Sequence, residues 1–215
     1  DPYQLPPINA GFILNDVIKS GVINHVELDV VKRQGVDSSV PAYSNAIRYG
    51  IMPESLTTAD ITFQESTGDI LQYAVTAYSE YDNAMIVAPT NDTVRKANIM
   101  LQGVVNPNGK ILDLTDMPIT KGSYDFKEGD PIVITLTSYK HDVQNGTLGV
   151  IKCAEPSDEY ACVIELEDLD EKGNKRLLEV DWQLFEYIDL AYCLTLHKLQ
   201  GSQAPNVIVL LERGR

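Results

Sequence analysis

Positively charged residues and long apolar runs are both scarce in this sequence. Its 215 residues include 17 Lys and Arg against 31 Asp and Glu, which gives a formal net charge of −14. Nonspecific binding to nucleic acid depends on basic surface, so this charge argues against such binding unless it is local or supplied by a partner surface. No apolar run reaches the roughly 18 residues of a membrane-spanning helix, and we predict no membrane segment.

Cysteine and histidine are scarce as well, with three residues of each. Cys153, Cys162 and Cys193 form no CxxC pair and lie in apolar surroundings, which indicates reduced core thiols in a cytoplasmic protein. Neither residue type shows metal-ligand spacing, so we predict no metal site. No GxxxxGK[ST] phosphate-binding loop occurs in the sequence. If the chain handles a nucleoside triphosphate, it therefore holds only half of the site.

The first half of the sequence has mainly helical patterns. Apolar spacing predicts a helix that ends at Gly21 and is followed by a short strand, and further helices over 39–49 and 70–81. The region 50–66 is weakly patterned and is predicted to be a loop. The continuous apolar run 84–89 predicts a strand buried on both faces of a parallel sheet, with a helix after it.

After about residue 110 the sequence becomes rich in β-forming runs. Turn signals separate four predicted strands, which indicates a small barrel; the strands are 131–139, 146–153, 160–168 and 175–180. A predicted helix over 189–200 and a predicted strand over 207–211 return to the α/β pattern. The simplest fold is an α/β sheet domain interrupted by a small β module.

Two stretches near the start carry polar side chains suited to phosphate. Gln4 lies in DPYQLPPINAG, where prolines stiffen the loop and present the amide. Arg33 ends a predicted strand, where its guanidinium can bind two phosphate oxygens. The alternatives are a terminal loop without a role and an arginine in a surface ion pair.

Two later stretches place polar groups at predicted helix ends. Thr90 and Asn91 begin the helix after the buried strand, where free amide hydrogens attract phosphate, although plain capping is the alternative. In AYCLTLHKLQGSQAPNVIVLL, polar groups cluster just before another strand; they are Thr195, His197, Lys198 and Gln200. They could face a ligand at the sheet edge or form a solvated helix end.

In this order, the stretches resemble the second half of a superfamily 1 helicase of the RecD-like branch, the branch of the exodeoxyribonuclease V alpha subunit. DPYQLPPINAG resembles GDxxQLPPVGxG, LDVVKRQ resembles LxxxFRQ, and MIVAPTNDTVRKANIMLQGVVNP resembles the opening of the second RecA-like lobe. FKEGDPIVITLTSYKHDVQNGTLGVI resembles FxxGDRVxQxxN…NGDxGxI, and the Ala191–Leu211 stretch resembles AYAxTxHKSQGSE-xxxVIxxL. The resemblance covers nearly the whole chain.

The resemblance implies an α/β fold, a RecA-like (P-loop NTPase-type) second motor lobe with a parallel sheet. The lobe would occupy 1–141 and 189–215, and an SH3-like β-barrel would be inserted at 142–188. Gln4 would sense the γ-phosphate and Arg33 would act as the arginine finger, with Gly201 and Gln203 near the nucleotide. The residues expected to contact nucleic acid are Thr90, Asn91, Asn145, Thr195, His197 and Lys198.

The implied function is that of a 5′-to-3′ ATP-dependent DNA helicase, with DNA repair as one process. The partners would be ATP, Mg²⁺, single-stranded DNA and the first RecA-like lobe. The phosphate loop, the Mg²⁺-binding pair and the last arginine motif are missing, so we expect an excised piece of a longer enzyme that is inactive alone. Gln203 stands where the family usually has Glu, Leu199 where it has a small residue, and Lys32 where it has Phe.

Two other functions fit the sequence. The acidic insert would favour a basic protein or peptide partner; its acidic residues are Glu165, Glu167, Asp168, Asp170 and Glu171. SH3-like barrels often bind peptides, whereas an acidic surface suits DNA poorly. The departure at Gln203 also allows a degenerate helicase-like domain that has only a structural role and no ATPase activity.

Overall fold

The computed structural model describes residues 11–26, 35, 37–114, 124–169, 173–199 and 203–212. The chain divides into two compact units, Asp1–Thr67 and Gly68–Arg215. The division expected from the sequence, with an insert at 142–188, is a different one and stays a prediction.

The first unit contains two short helices. Helix α1 (Ile13–Ser20) ends at Gly21, whose φ of +66° is readily adopted by glycine and whose N–H donates to Ile18, as the sequence predicts. Helix α2 (Val40–Arg48) follows Ser39, whose N–H donates to Asp60 at 2.7 Å. No strand occurs among the described residues 22–26, where a short strand is expected to begin. Residues 51–66 contain neither helix nor strand, as predicted.

The second unit begins with a helix–strand–helix segment that confirms the predicted order. Helix α3 (Ile70–Glu80) is capped by Asp69, strand β1 (Ala84–Ala88) follows, and helix α4 (Asn91–Val105) begins after Thr90. Both caps accept a hydrogen bond from an amide of the first helical turn.

The rest of the second unit is mostly β-structure. Its elements are β2 (Pro131–Ile134), β3 (Leu148–Cys153), β4 (Cys162–Leu169), β5 (Lys175–Val180), α5 (Trp182–Phe185), β6 (Ile188–Leu190), β7 (Cys193–Thr195), α6 (Leu196–Leu199) and β8 (Asn206–Val209). A parallel sheet has the order β7-β1-β8, and an antiparallel sheet has the order β5-β4-β3-β2-β6. The α/β class with a parallel sheet is therefore confirmed. No pairing closes the antiparallel sheet within the described residues, so the SH3-like barrel stays a prediction.

The predicted helix over 189–200 is wrong. Strand β6 pairs with β2 in the antiparallel sheet, β7 pairs with β1 in the parallel sheet, and only the four residues of α6 are helical. The run is apolar and almost continuously buried from Ile188 to Thr195. Periodicity cannot separate a buried helix from a buried strand in such a run, so only the long-range pairing decides between them.

One hydrophobic core joins the two sheets of the second unit. Tyr192, Phe126 and Phe185 are among its largest buried side chains, and the Phe126 and Phe185 rings meet edge to face at 5.3 Å. Tyr192 lies between β6 and β7, where the chain crosses from one sheet to the other. In the part of the chain that the structure describes, no helix is long and apolar enough to cross a membrane.

Candidate nucleic-acid interface

The carboxyl ends of the parallel strands bring two of the predicted polar stretches together. Ala88 at the end of β1 pairs with Thr195 at the end of β7. Thr90 and Asn91 follow β1 directly, and His197 and Lys198 follow β7. Open α/β sheets bind their ligands at this edge, so these side chains form one candidate interface.

The Thr90 hydroxyl is used in capping α4. Its Oγ1 accepts from the Thr93 amide at 3.2 Å and lies 2.9 Å from the Thr93 hydroxyl. The Thr93 hydroxyl donates in turn to the carboxylate of Glu212, which follows β8. The capping role considered for Thr90 is therefore present, and a carboxylate that the sequence did not flag lies beside it. Asn91 is exposed at the first position of the helix.

Thr195 and Lys198 do not lie on one long helix, because the predicted helix over 189–200 is replaced by β6, β7 and the short α6. Thr195 is buried at the end of β7, and its Oγ1 accepts from the Lys198 amide at 3.4 Å. The Lys198 ammonium lies 3.2 Å from Asp189 in β6, while His197 is exposed. Asp189 also accepts from the hydroxyl of Tyr124 at 3.2 Å; burial first and this charge second raise the pKa of Tyr124 to about 12.

The connection between β2 and β3 brings Asn145 to the same place. Asn145 is exposed, and its N–H donates to the Thr137 hydroxyl at 3.1 Å. Gly146 has a φ of +97°, and a Cβ atom there would lie 3.6 Å from the carbonyl oxygen of Lys198. The turn at Asn145 therefore packs against α6, beside the edge formed by β1 and β7.

Asn98 of α4 fixes the segment that leads into this edge. It is buried, and its amide nitrogen donates to the carbonyl oxygens of Leu190 and Cys193, both at 3.1 Å. Its Oδ1 accepts from the Cys193 amide at 2.8 Å. One side chain thus binds both sides of the crossing between the two sheets. No local sequence pattern points to this role, because Asn98 is more than 90 residues away from its partners.

Asp130 forms a second link between the same elements. Its carboxylate is fully buried just before β2 and accepts from Gln102 of α4 and from Asn106, which directly follows α4. It also accepts from the Tyr192 hydroxyl at 2.9 Å and from the Lys127 amide at 2.7 Å. Four donors satisfy this buried carboxylate and hold α4, the start of β2 and the sheet crossing together.

The residues predicted to handle nucleotide are mostly outside the described part of the chain. Gln4, Arg33 and Gly201 lie outside it, as does Gln200. Gln203 is exposed, three residues before β8. Among the described residues, no three His, Cys, Asp or Glu side chains are grouped so as to hold a metal ion.

No protein-family model matches the chain. It is 25% identical to the conjugal transfer protein TraA of Agrobacterium fabrum, over 98% of this chain and 19% of that protein. It is 24% identical to a probable conjugal transfer protein TraA of Sinorhizobium fredii, over the same shares. The chain thus spans about a fifth of the length of these relatives.

Solved structures of Pif1 helicases have a similar fold. A Bacteroides Pif1 bound to single-stranded DNA matches with a TM-score of 0.55 and 14% identity, over 99% of this chain and 55% of that one. The Bacteroides enzyme in complex with ADP-AlF3 and single-stranded DNA gives a TM-score of 0.52 and 14% identity, over the same shares. The chain therefore shares the fold of these structures, while its place in superfamily 1 and in the RecD-like branch stays a prediction.

Proposed function

We propose that the chain is the second motor lobe of an ATP-dependent DNA helicase that moves along single-stranded DNA. The observation that carries the proposal is the shared edge of β1 and β7, which gathers Thr90, Asn91, Thr195, His197 and Lys198 beside the turn at Asn145. The likeness to Pif1 structures that contain single-stranded DNA supports this use of the edge.

Each part of the edge suits a different contact with single-stranded DNA. His197 and Asn145 are exposed and offer hydrogen bonds to phosphate or base. Lys198 supplies positive charge, and its pairing with Asp189 orients the ammonium. Thr195 is buried and acts indirectly, because its hydroxyl accepts from the Lys198 amide and holds the first turn of α6. DNA binding would thus be confined to this edge, which makes it compatible with a net charge of −14 for the whole chain.

The finer roles belong to the longer protein. Bound ATP with Mg²⁺ would supply the phosphoryl group whose hydrolysis drives movement, and the phosphate loop would come from the first lobe. We propose that Arg33 stabilises charge on the transferred group and that Gln4 senses the γ-phosphate, with Gly201 and Gln203 near the nucleotide. Movement would be 5′ to 3′, and the likeness to TraA favours DNA transfer over DNA repair as the process.

Titration of a labelled single-stranded oligonucleotide with the 215-residue chain tests the contact surface. Lys198→Gln is expected to weaken binding and to reduce the salt dependence by about one counterion. Lys152→Gln is the matched control, because Lys152 also pairs with a carboxylate but lies on β3. Equal losses for the two variants would contradict the proposed edge.

ATP turnover tests the motor role. The 215-residue chain alone is expected to hydrolyse no ATP, because it contains no phosphate-binding loop. In the longer protein, Arg33→Ala is expected to lower turnover while most nucleotide binding remains. Turnover by the isolated chain, or unchanged turnover in the variant, would count against the respective roles.

The charge of the antiparallel sheet favours a second candidate, a module that binds a basic protein segment. Residues 124–190 contain 16 Asp and Glu against 6 Lys and Arg, so this region carries most of the net negative charge. Part of this negative charge is already neutralised within the chain, since Glu165 pairs with Lys152 at 3.3 Å and with Lys175 at 3.0 Å. Binding of a Lys-rich peptide without binding of single-stranded DNA would favour this candidate.

A further inference from the structure

The connection between β2 and β3 carries a fully exposed aromatic side chain. Tyr139 is 95% exposed, more than any other large apolar or aromatic residue that the structure describes. Scattered exposed apolar residues are normal and need no explanation. Tyr139 differs from them because backbone and side-chain hydrogen bonds fix the turn that carries it.

Backbone hydrogen bonds close the turn from Ser138 to Val143. The Ser138 amide donates to Val143 at 2.9 Å, and the Val143 amide donates back at 3.1 Å. Val143 is buried in the core, which anchors one end of the turn. Asp142 has a φ of +52°, a left-handed conformation that non-glycine residues adopt at a cost. The turn is thus a defined structure and not a loose loop.

Side chains fix the same turn to the neighbouring elements. The His141 ring lies between the Ser138 hydroxyl, at 2.8 Å, and the carboxylate of Asp181, at 3.0 Å. Asp181 also caps α5 and receives the Lys140 ammonium at 2.6 Å. These contacts tie the turn to the start of α5.

Arg176 of β5 also holds the turn. Its guanidinium donates to the backbone carbonyls of His141 and Asp142 and to the Asp142 carboxylate, the last at 3.1 Å. The two carboxylates of this region, Asp142 and Asp181, are therefore each paired with cations. In an otherwise acidic sheet, the turn presents an aromatic ring and balanced charge.

We propose that Tyr139 is a stacking platform for a base of single-stranded nucleic acid. Aromatic rings bind bases of any sequence, and a ring on a rigid turn loses little conformational entropy on binding. The same connection contains Gly146, which lies against the Lys198 carbonyl, and the exposed Asn145. A single-stranded nucleic acid bound at the edge of β1 and β7 would therefore pass beside Tyr139. The inference rests on the proposed function and adds a contact from the antiparallel sheet.

The test is a titration of a labelled 12-nucleotide oligo(dT) with the 215-residue chain and three variants. Tyr139→Ala is expected to weaken binding by roughly 5- to 150-fold, the range found for loss of one stacked base, while Tyr139→Phe keeps wild-type affinity. Tyr81→Ala is the matched control, because this tyrosine is 46% exposed before the amino end of β1. Thermal unfolding of each variant verifies that the fold is retained.

Oligonucleotides with one abasic site at successive positions separate stacking from an indirect effect. At one position the abasic site is expected to weaken binding to the wild type but not to Tyr139→Ala, as a double-mutant cycle requires. Equal binding by Tyr139→Ala and wild type, or equal losses in Tyr139→Ala and Tyr139→Phe, would overturn the stacking role alone. Absence of binding by the wild type would overturn the proposed function and this inference together.

Discussion

Asn98 holds the chain where it passes from the antiparallel to the parallel sheet, and Asn98→Ala tests whether this link positions the candidate interface. The substitution removes three hydrogen bonds of 3.1, 3.1 and 2.8 Å from a side chain that is only 3% exposed. It leaves the Leu190 carbonyl and both backbone groups of Cys193 without this partner. Each buried group left unsatisfied costs about 1–3 kcal/mol, and partial relaxation brings the expected loss to about 3–5 kcal/mol.

Urea unfolding followed by circular dichroism measures this loss as a change in the free energy of unfolding. Asn98→Asp is expected to cost at least as much, since its second oxygen would face two carbonyl oxygens and bury a charge. Lys96→Ala is the control on the same helix, because its exposed pair with Asp92 is worth only about 0.3–0.5 kcal/mol.

Amide hydrogen exchange locates the effect. Protection of Cys193, Leu194 and Thr195 is expected to fall more than that of the β3–β4 pair, because Asn98 binds only the crossing segment. A loss below about 1 kcal/mol with unchanged protection of β7 would refute the positioning role. Uniform loss of protection over the whole unit would show a general packing defect instead.

Four further substitutions have defined outcomes. Asp130→Asn is expected to cost about 2–4 kcal/mol in urea unfolding, because the new amide would face donors that now bind a carboxylate; an unchanged midpoint would contradict this. Burial would raise the pKa of Asp181, but hydrogen bonds, first from Lys140, outweigh it and lower the pKa from 3.8 to about 2. The ionised carboxylate therefore stabilises the folded state above pH 4, by about 1–2 kcal/mol after solvent screening. This stabilisation is lost as the pH falls from 4 to 2, and Asp181→Asn should abolish the pH dependence of the free energy of unfolding in that range. Gly149→Ala is expected to cost about 1–3 kcal/mol, because the added Cβ would lie 2.6 Å from a side chain of β4. Gly103→Ala, with nothing within 4 Å, should instead stabilise α4 by about 0.5–1 kcal/mol.

Local patterns were sufficient to predict much of the fold. The strand at 175–180 has the predicted bounds, and β1 and α4 follow the apolar run and the Thr90 cap that the sequence contains. The predicted helix over 189–200 failed because Leu190 and Cys193 are buried by partners on two different sheets. No local pattern encodes such a crossing.

The site was predictable only in part for a related reason. Motif order identified Thr195, Lys198 and Asn145 as candidates, and the structure brings them close together. Asn98 and Asp130 escaped notice because their roles depend on partners far away in the sequence. Rigidity of the turn around Tyr139 likewise comes from β5 and α5 and has no local signature.

Crosslinking of a single-stranded oligonucleotide that contains 4-thiothymidine, followed by peptide mass spectrometry, tests the central claim most directly. We predict crosslinks to peptides that cover 90–96, 137–147 and 193–199, the segments at the edge of β1 and β7. Crosslinks confined to 78–84, at the opposite end of β1, or to the acidic strands β4 and β5, would contradict the account.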